Sequence, residues 1–180
     1  MRAPLSVALL TISACASAPD VTTQPIPSTQ YESQILEGWT VRVNRMLLRQ
    51  EAELGGETLK LLGMKLYEIT RVMPPRPLQE LRKIPIWLGV DDGPSDRAQY
   101  HPSREWLQEH RFNPEKAQAV EIGNARRFLQ TANEQPSMVL HEMAHAYHDR
   151  VLTFQHGGIQ EAWREAKKSG TYDSVLRING

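Results

Sequence analysis

The sequence predicts an α+β domain, on three observations. A period-two strand pattern near residue 40 is followed by a long apolar stripe at helical spacing. Short apolar runs bounded by Pro and Gly then alternate with turn residues, and two amphipathic helices close the chain. Strands and helices interleave, with no internal repeat, heptad array or phosphate-binding glycine loop.

Each element has a local reason. Trp39, Val41 and Val43 alternate with Thr40, Arg42 and Asn44, the pattern of a half-buried strand running into residues 45–48. From Glu57, Leu59, Leu62, Leu66, Ile69 and Val72 recur at three- and four-residue spacing, which predicts a helix stopped by Met73-Pro74-Pro75. Residues 84–90 read as a short strand, and Pro85 places it at a sheet edge or at a strand start. Asp91-Asp92-Gly93-Pro94 is turn chemistry, and a loop-rich stretch runs on through Tyr100-His101-Pro102-Ser103. Val120-Glu121-Ile122 is a further short strand. Pro136 suits the first position of a helix reaching about Phe154 and stopped by Gly157-Gly158. A last helix over residues 159–169 puts Ile159, Ala162, Trp163 and Ala166 on one stripe, with Gly170 as its stop.

The 180 residues carry 21 Lys and Arg against 21 Asp and Glu, so neither net charge nor a basic tract offers a footprint for nucleic acid. At 40% hydrophobic residues the chain can build a core. Past the N-terminus nothing approaches the ~20 consecutive apolar residues of a membrane span, so the body is expected to be water-soluble. The single Cys makes neither an intramolecular disulfide nor a Cys-rich zinc cage, which leaves the core, or a metal held by His and carboxylates, to stabilise the fold.

Residues 1–18 read as a secretory signal: one Arg, an apolar run and then small residues. Ile12-Ser13-Ala14-Cys15 resembles the bacterial lipoprotein box, which implies a lipid on Cys15 as the new N-terminus. Ala16 in place of Asp then points to the outer membrane, facing the periplasm. An ordinary signal cleaved after a small-x-small stretch such as Ala14-Cys15-Ala16 is the alternative. Residues 16–30, rich in Pro, Thr, Ser and Gln, read as a flexible tether. Residues 31–180 remain for one domain with its own core.

His141-Glu142-Met143-Ala144-His145 carries the chemistry. On a helix the two His lie about 40° apart and about 6 Å along the axis, so both imidazoles reach one ion. Glu142 is rotated about 100° from His141 and flanks that ion without ligating it. Two imidazoles on zinc, a water and a neighbouring carboxylate that takes the water's proton form the set used by zinc hydrolases. For this composition the pattern arises by chance about once in sixty such chains. Val139, Leu140, Met143, Ala144, Ala146, Tyr147 and Val151 spread over the opposite side of the helix, leaving His141, Glu142, His145, His148 and Asp149 on one stripe. Asp149 is placed either to accept the second N–H of His145 or to stand as a solvated helix-end acid.

The stretch 135–149, with Val120-Glu121-Ile122-Gly123-Asn124, Tyr100-His101-Pro102-Ser103, Trp106-Leu107, Pro85-Ile86-Trp87-Leu88 and the later Tyr172-Asp173, resembles a family of zincin-like metallopeptidases distantly related to the catalytic domain of anthrax lethal factor. The resemblance covers roughly Gly38 to the C-terminus, and His-Glu-x-x-His is its strong motif. It implies a small mixed sheet whose edge strand aligns an extended peptide above the active-site helix. It also implies zinc on His141 and His145, Glu142 as general base, and a peptide or protein substrate. The family's third ligand is a Glu on a later helix, and the chain ends at Gly180 before such a segment, as a truncated member would.

The other candidates leave that third ligand unassigned. Glu165 has thermolysin-like spacing from His145, yet Glu161 and Glu165 point away from the apolar stripe of their helix. His148 lies about 10.5 Å along the axis from His141, too far for one site on a straight helix, which makes it an outer partner or a ligand to a different ion. Val151 and His148 stand where a metzincin needs its third His and its Gly, which excludes that class. His156 reaches back only if the chain turns at Gln155, and Asp173 is a distant candidate. His101 and His110 read as surface or loop residues. Tyr100 or Tyr172 would serve as an oxyanion donor, with no spacing rule to select either. Two readings stay open: a zinc metallopeptidase at the bacterial cell envelope, and a catalytically inactive, truncated lipoprotein of the same scaffold with a binding or structural role.

Overall fold

Polar Glu32, Ser33 and Gln34 give β1, Tyr31–Leu36, little sequence signal, yet in the computed structural model it pairs antiparallel along all of β2, Trp39–Asn44. Glu37 at φ 51° and Gly38 at φ 91° form the two-residue turn between them, the left-handed pair that a tight hairpin requires. The structure describes residues 24–93 and 97–174; the signal, Cys15, Pro94 and the first part of the expected tether lie outside them. The last tether residues rest on the body, where the Asn113 amide donates to the Ile26 carbonyl at 2.8 Å.

Asn44 ends β2 and caps α1, Arg45–Arg49, its side chain accepting from the Met46 N–H. α2 then runs Ala52–Val72, starting before the expected Glu57 because Gly55-Gly56 lies inside it. At Gly55 an added Cβ would stand 2.5 Å from the Leu47 carbonyl, so the glycine lets α1 and α2 cross closely. At Gly56 it would meet nothing. Gly55→Ala is therefore expected to destabilise the domain by about 1 kcal/mol, packing strain exceeding the gain in helix propensity. Gly56→Ala should stabilise it by up to about 1 kcal/mol, with urea titration of both variants as the check.

Met73 turns extended before α3, Pro75–Leu81. β3, Ile86–Leu88, is a central strand with Pro85 just before its start, so the strand-start alternative is the one realised. The supposed loop contains β4, Ala98–Tyr100. After α4, Arg104–Glu109, come β5, Val120–Ile122, and α5, Ala125–Thr131. The strands form one mixed sheet in the order β1-β2-β3-β5-β4, with β2, β3 and β5 parallel and both outer strands antiparallel to their neighbours. The architecture is α+β.

One sheet face carries Val41, Val43, Ile86, Leu88, Val120 and Ile122, which join Leu62, Leu66, Ile69, Val139, Met143 and Ala146 in the main core. The other face carries Tyr31, Arg42, Trp87 and Glu121, with Ala119 packed against Tyr31 and Trp87 and the Lys116 ammonium over their rings.

The motif helix α6 spans Met138–Tyr147 and opens into a wider π-type turn over residues 148–152. The stop comes at Thr153, held at φ 65°, and not at Gly157-Gly158, which form the first turn of α7, Gly157–Ser169. Arg150 straps the wide turn to the body through the carbonyls of Lys83 and Gln118. The buried stripe of α6 is narrower than expected: Val139, Met143 and Ala146 are buried, while Ala144 and Val151 are exposed. α7 ends at Gly170 in the left-handed conformation, as expected, and none of its residues is fully buried.

Candidate functional site

Burial of Val139, Met143 and Ala146 fixes the roll of α6, which turns His141 and His145 outward and Glu142 toward the edge of the sheet. The two Nε2 atoms stand 3.0 Å apart, with the rings nearly perpendicular at 83°. Two nitrogen lone pairs facing at that range repel unless a proton or a cation lies between them. Imidazoles on one tetrahedral zinc hold their nitrogens about 3.3 Å apart, so the pair fits two corners of such a site.

Glu142 is half-buried, and its Oε2 accepts the backbone N–H of Tyr100 at 2.8 Å. The direction of that N–H follows from the ladder. His101, next in the chain, turns both backbone groups toward the β5 side, to the Ala119 carbonyl and the Gln118 N–H. Alternation therefore turns the Tyr100 backbone to the open edge. The Tyr100 side chain runs along the helix, its hydroxyl donating to Asp149 Oδ2 at 2.7 Å. Burial, together with the Asp149 carboxylate, pushes the Tyr100 hydroxyl well above the ordinary phenol range, so it stays protonated. Asp149 thus takes the Tyr100 hydroxyl, a third role beside the two the sequence left open.

The remaining candidates fall elsewhere. His148 packs edge-on against Phe154 with ring centroids 5.0 Å apart, and its buried Nε2 has no hydrogen-bond partner among the described residues. His156 caps α7 by accepting the Ile159 N–H and does not fold back. Glu161 and Glu165 are exposed on α7, and Tyr172 is exposed beyond it. His110 is exposed and stacks on Trp106, with centroids 4.0 Å apart. Among the described residues no group of three His, Cys, Asp or Glu side chains is placed to hold one ion.

His101 is the clear correction. It is buried, and its Nε2 meets Glu121 Oε2 at 2.6 Å, while the buried Lys116 ammonium is bound to the other carboxylate oxygen. This cluster lies on the far face of the sheet from α6. The only sequence signal for it was a Glu between Val120 and Ile122, a charge in an otherwise apolar strand.

The chain matches no family model, no curated protein and no solved structure.

Proposed function

We propose that this chain is a zinc-dependent metallopeptidase of zincin type, hydrolysing peptide bonds at the bacterial cell envelope. The convergence of the His141 and His145 Nε2 atoms, with the Glu142 carboxylate one residue away at the sheet edge, carries that reading. His141 and His145 would hold the zinc, which when bound polarises a carbonyl and makes water acidic. Glu142 takes a proton from the attacking water and returns it to the leaving amine. Its tie to the Tyr100 N–H orients the carboxylate at the sheet edge. Among the described strands β4 pairs with β5 alone, and an extended peptide would add along its outer edge beside the Tyr100 N–H that Glu142 takes. Lipid anchoring through Cys15 belongs to the same proposal and lies outside the described residues.

One observation favours a second reading, a non-catalytic scaffold of the same fold: no third His, Cys, Asp or Glu among the described residues joins the histidine pair. Zinc per chain decides between them, measured by atomic emission on residues 16–180. The expected result is about one zinc per chain, lost in His141→Ala. A chain that retains no zinc is the scaffold.

A further inference from the structure

Tyr100 touches α6 at two places. Its backbone N–H is bonded to Glu142 and its hydroxyl to Asp149, seven positions later in the chain. Seven residues are close to two helical turns, so both carboxylates lie on nearly the same stripe, about 10 Å apart along the axis. One residue therefore spans the seam between edge strand and helix, with its aromatic ring as the spacer. The other side of β4 is held as firmly. His101 pairs with the β5 side through both backbone groups, and its ring is buried against Glu121 and Phe112. With the strand anchored there and Ala98 and Tyr100 packed against the core, the hydroxyl bond to Asp149 is the polar tie that holds Tyr100 to the far end of α6.

We propose that Tyr100 is a positioning residue: by tying its hydroxyl to Asp149 it holds its own N–H on the Glu142 carboxylate and so fixes the direction in which that carboxylate faces. The assignment of Glu142 as a base rests on the metallopeptidase reading; the coupling between the two hydrogen bonds does not. Loss of the hydroxyl frees the strand to move from the helix at this point and leaves Glu142 free to rotate.

The test is amide hydrogen exchange by NMR at residue 100, with the His101 and Gln118 amides as internal standards because both are bonded within the sheet. Tyr100→Phe and Asp149→Ala are each expected to speed exchange at residue 100 by about tenfold, with both standards within about twofold. No change at residue 100 in either variant overturns the proposal. So does a parallel rise at all three amides, because that is general loosening. Should Tyr100→Phe fail to fold, Asp149→Ala carries the same measurement without altering the strand. In peptide hydrolysis both variants are expected to lower kcat about tenfold, with KM within about twofold and zinc per chain unchanged. Faster exchange with unchanged kcat overturns the positioning role, as does loss of zinc along with kcat. If the unmutated chain hydrolyses nothing, the metallopeptidase reading alone is lost, and exchange at residue 100 still decides whether Tyr100 holds Glu142.

Discussion

Glu142→Gln is expected to lower the rate of zinc-dependent peptide hydrolysis by about 10²- to 10⁴-fold, with KM and zinc content unchanged. The amide oxygen of Gln still accepts the Tyr100 N–H, so the contact between α6 and the sheet edge survives and only the proton acceptor is lost. His141→Ala should behave differently, losing zinc and activity together. Side by side, the two variants separate the base from the metal. Hydrolysis within tenfold of the unmutated chain in Glu142→Gln would remove Glu142 as the base and leave the zinc reading standing. The assay is steady-state cleavage of an unstructured peptide, with zinc measured on the same samples.

The largest effect on stability is expected at a residue that touches none of this chemistry. Glu121 is 2% exposed, and its two oxygens hold Lys116 and His101, themselves 1% and 2% exposed. Among the described residues, the Lys116 ammonium otherwise lies over the rings of Tyr31 and Trp87, at 5.3 and 5.7 Å. Glu121→Gln strands that cation in the interior and should destabilise the domain by about 3–5 kcal/mol, since breaking a buried pair leaves an uncompensated charge. For a domain of this size that lowers Tm by roughly 10 °C. A loss under about 1 kcal/mol would show that Lys116 escapes to solvent.

The same cluster sets an acid limit. Burial pushes the Glu121 carboxyl upward, but the His101 hydrogen bond and the Lys116 charge outweigh it and hold the group below the usual carboxylate range. A carboxylate depressed in the folded state contributes stability that is fully present above its unfolded value of about 4.3 and is lost as pH falls through the lower folded value. The midpoint of urea denaturation should therefore drop below about pH 4.3 in the unmutated protein. In Glu121→Gln that part of the slope should be absent.

How far the site was legible depended on how local each feature is. The histidine pair and its carboxylate sit on one helix, and the spacing of His141 and His145 together with the burial of Val139, Met143 and Ala146 was enough to orient them. The stripe was read too wide at Ala144 and Val151, because an apolar residue on a helix flank is buried only where another element covers it. β4 was hidden because Ala98, Gln99 and Tyr100 show no strand alternation of their own; their extended form comes from pairing with Val120–Ile122. His101 looked like a loop residue for the same reason, its partner Glu121 lying on the neighbouring strand.

Periodicity and capping by themselves determined the α+β class, the apolar stripe of α2, the left-handed stop at Gly170 and the approach of His141 to His145, since each depends on residues within a few turns of one another. Only the tertiary structure decided what surrounds Glu142. Tyr100 is 42 residues from Glu142 and 49 from Asp149, and His101 is 20 from Glu121. Those pairs meet because β4 doubles back antiparallel along β5 at the edge of the sheet, with α6 packed beside it. No local pattern encodes such a meeting, because the free energy that holds it comes from burying and pairing segments distant in the chain.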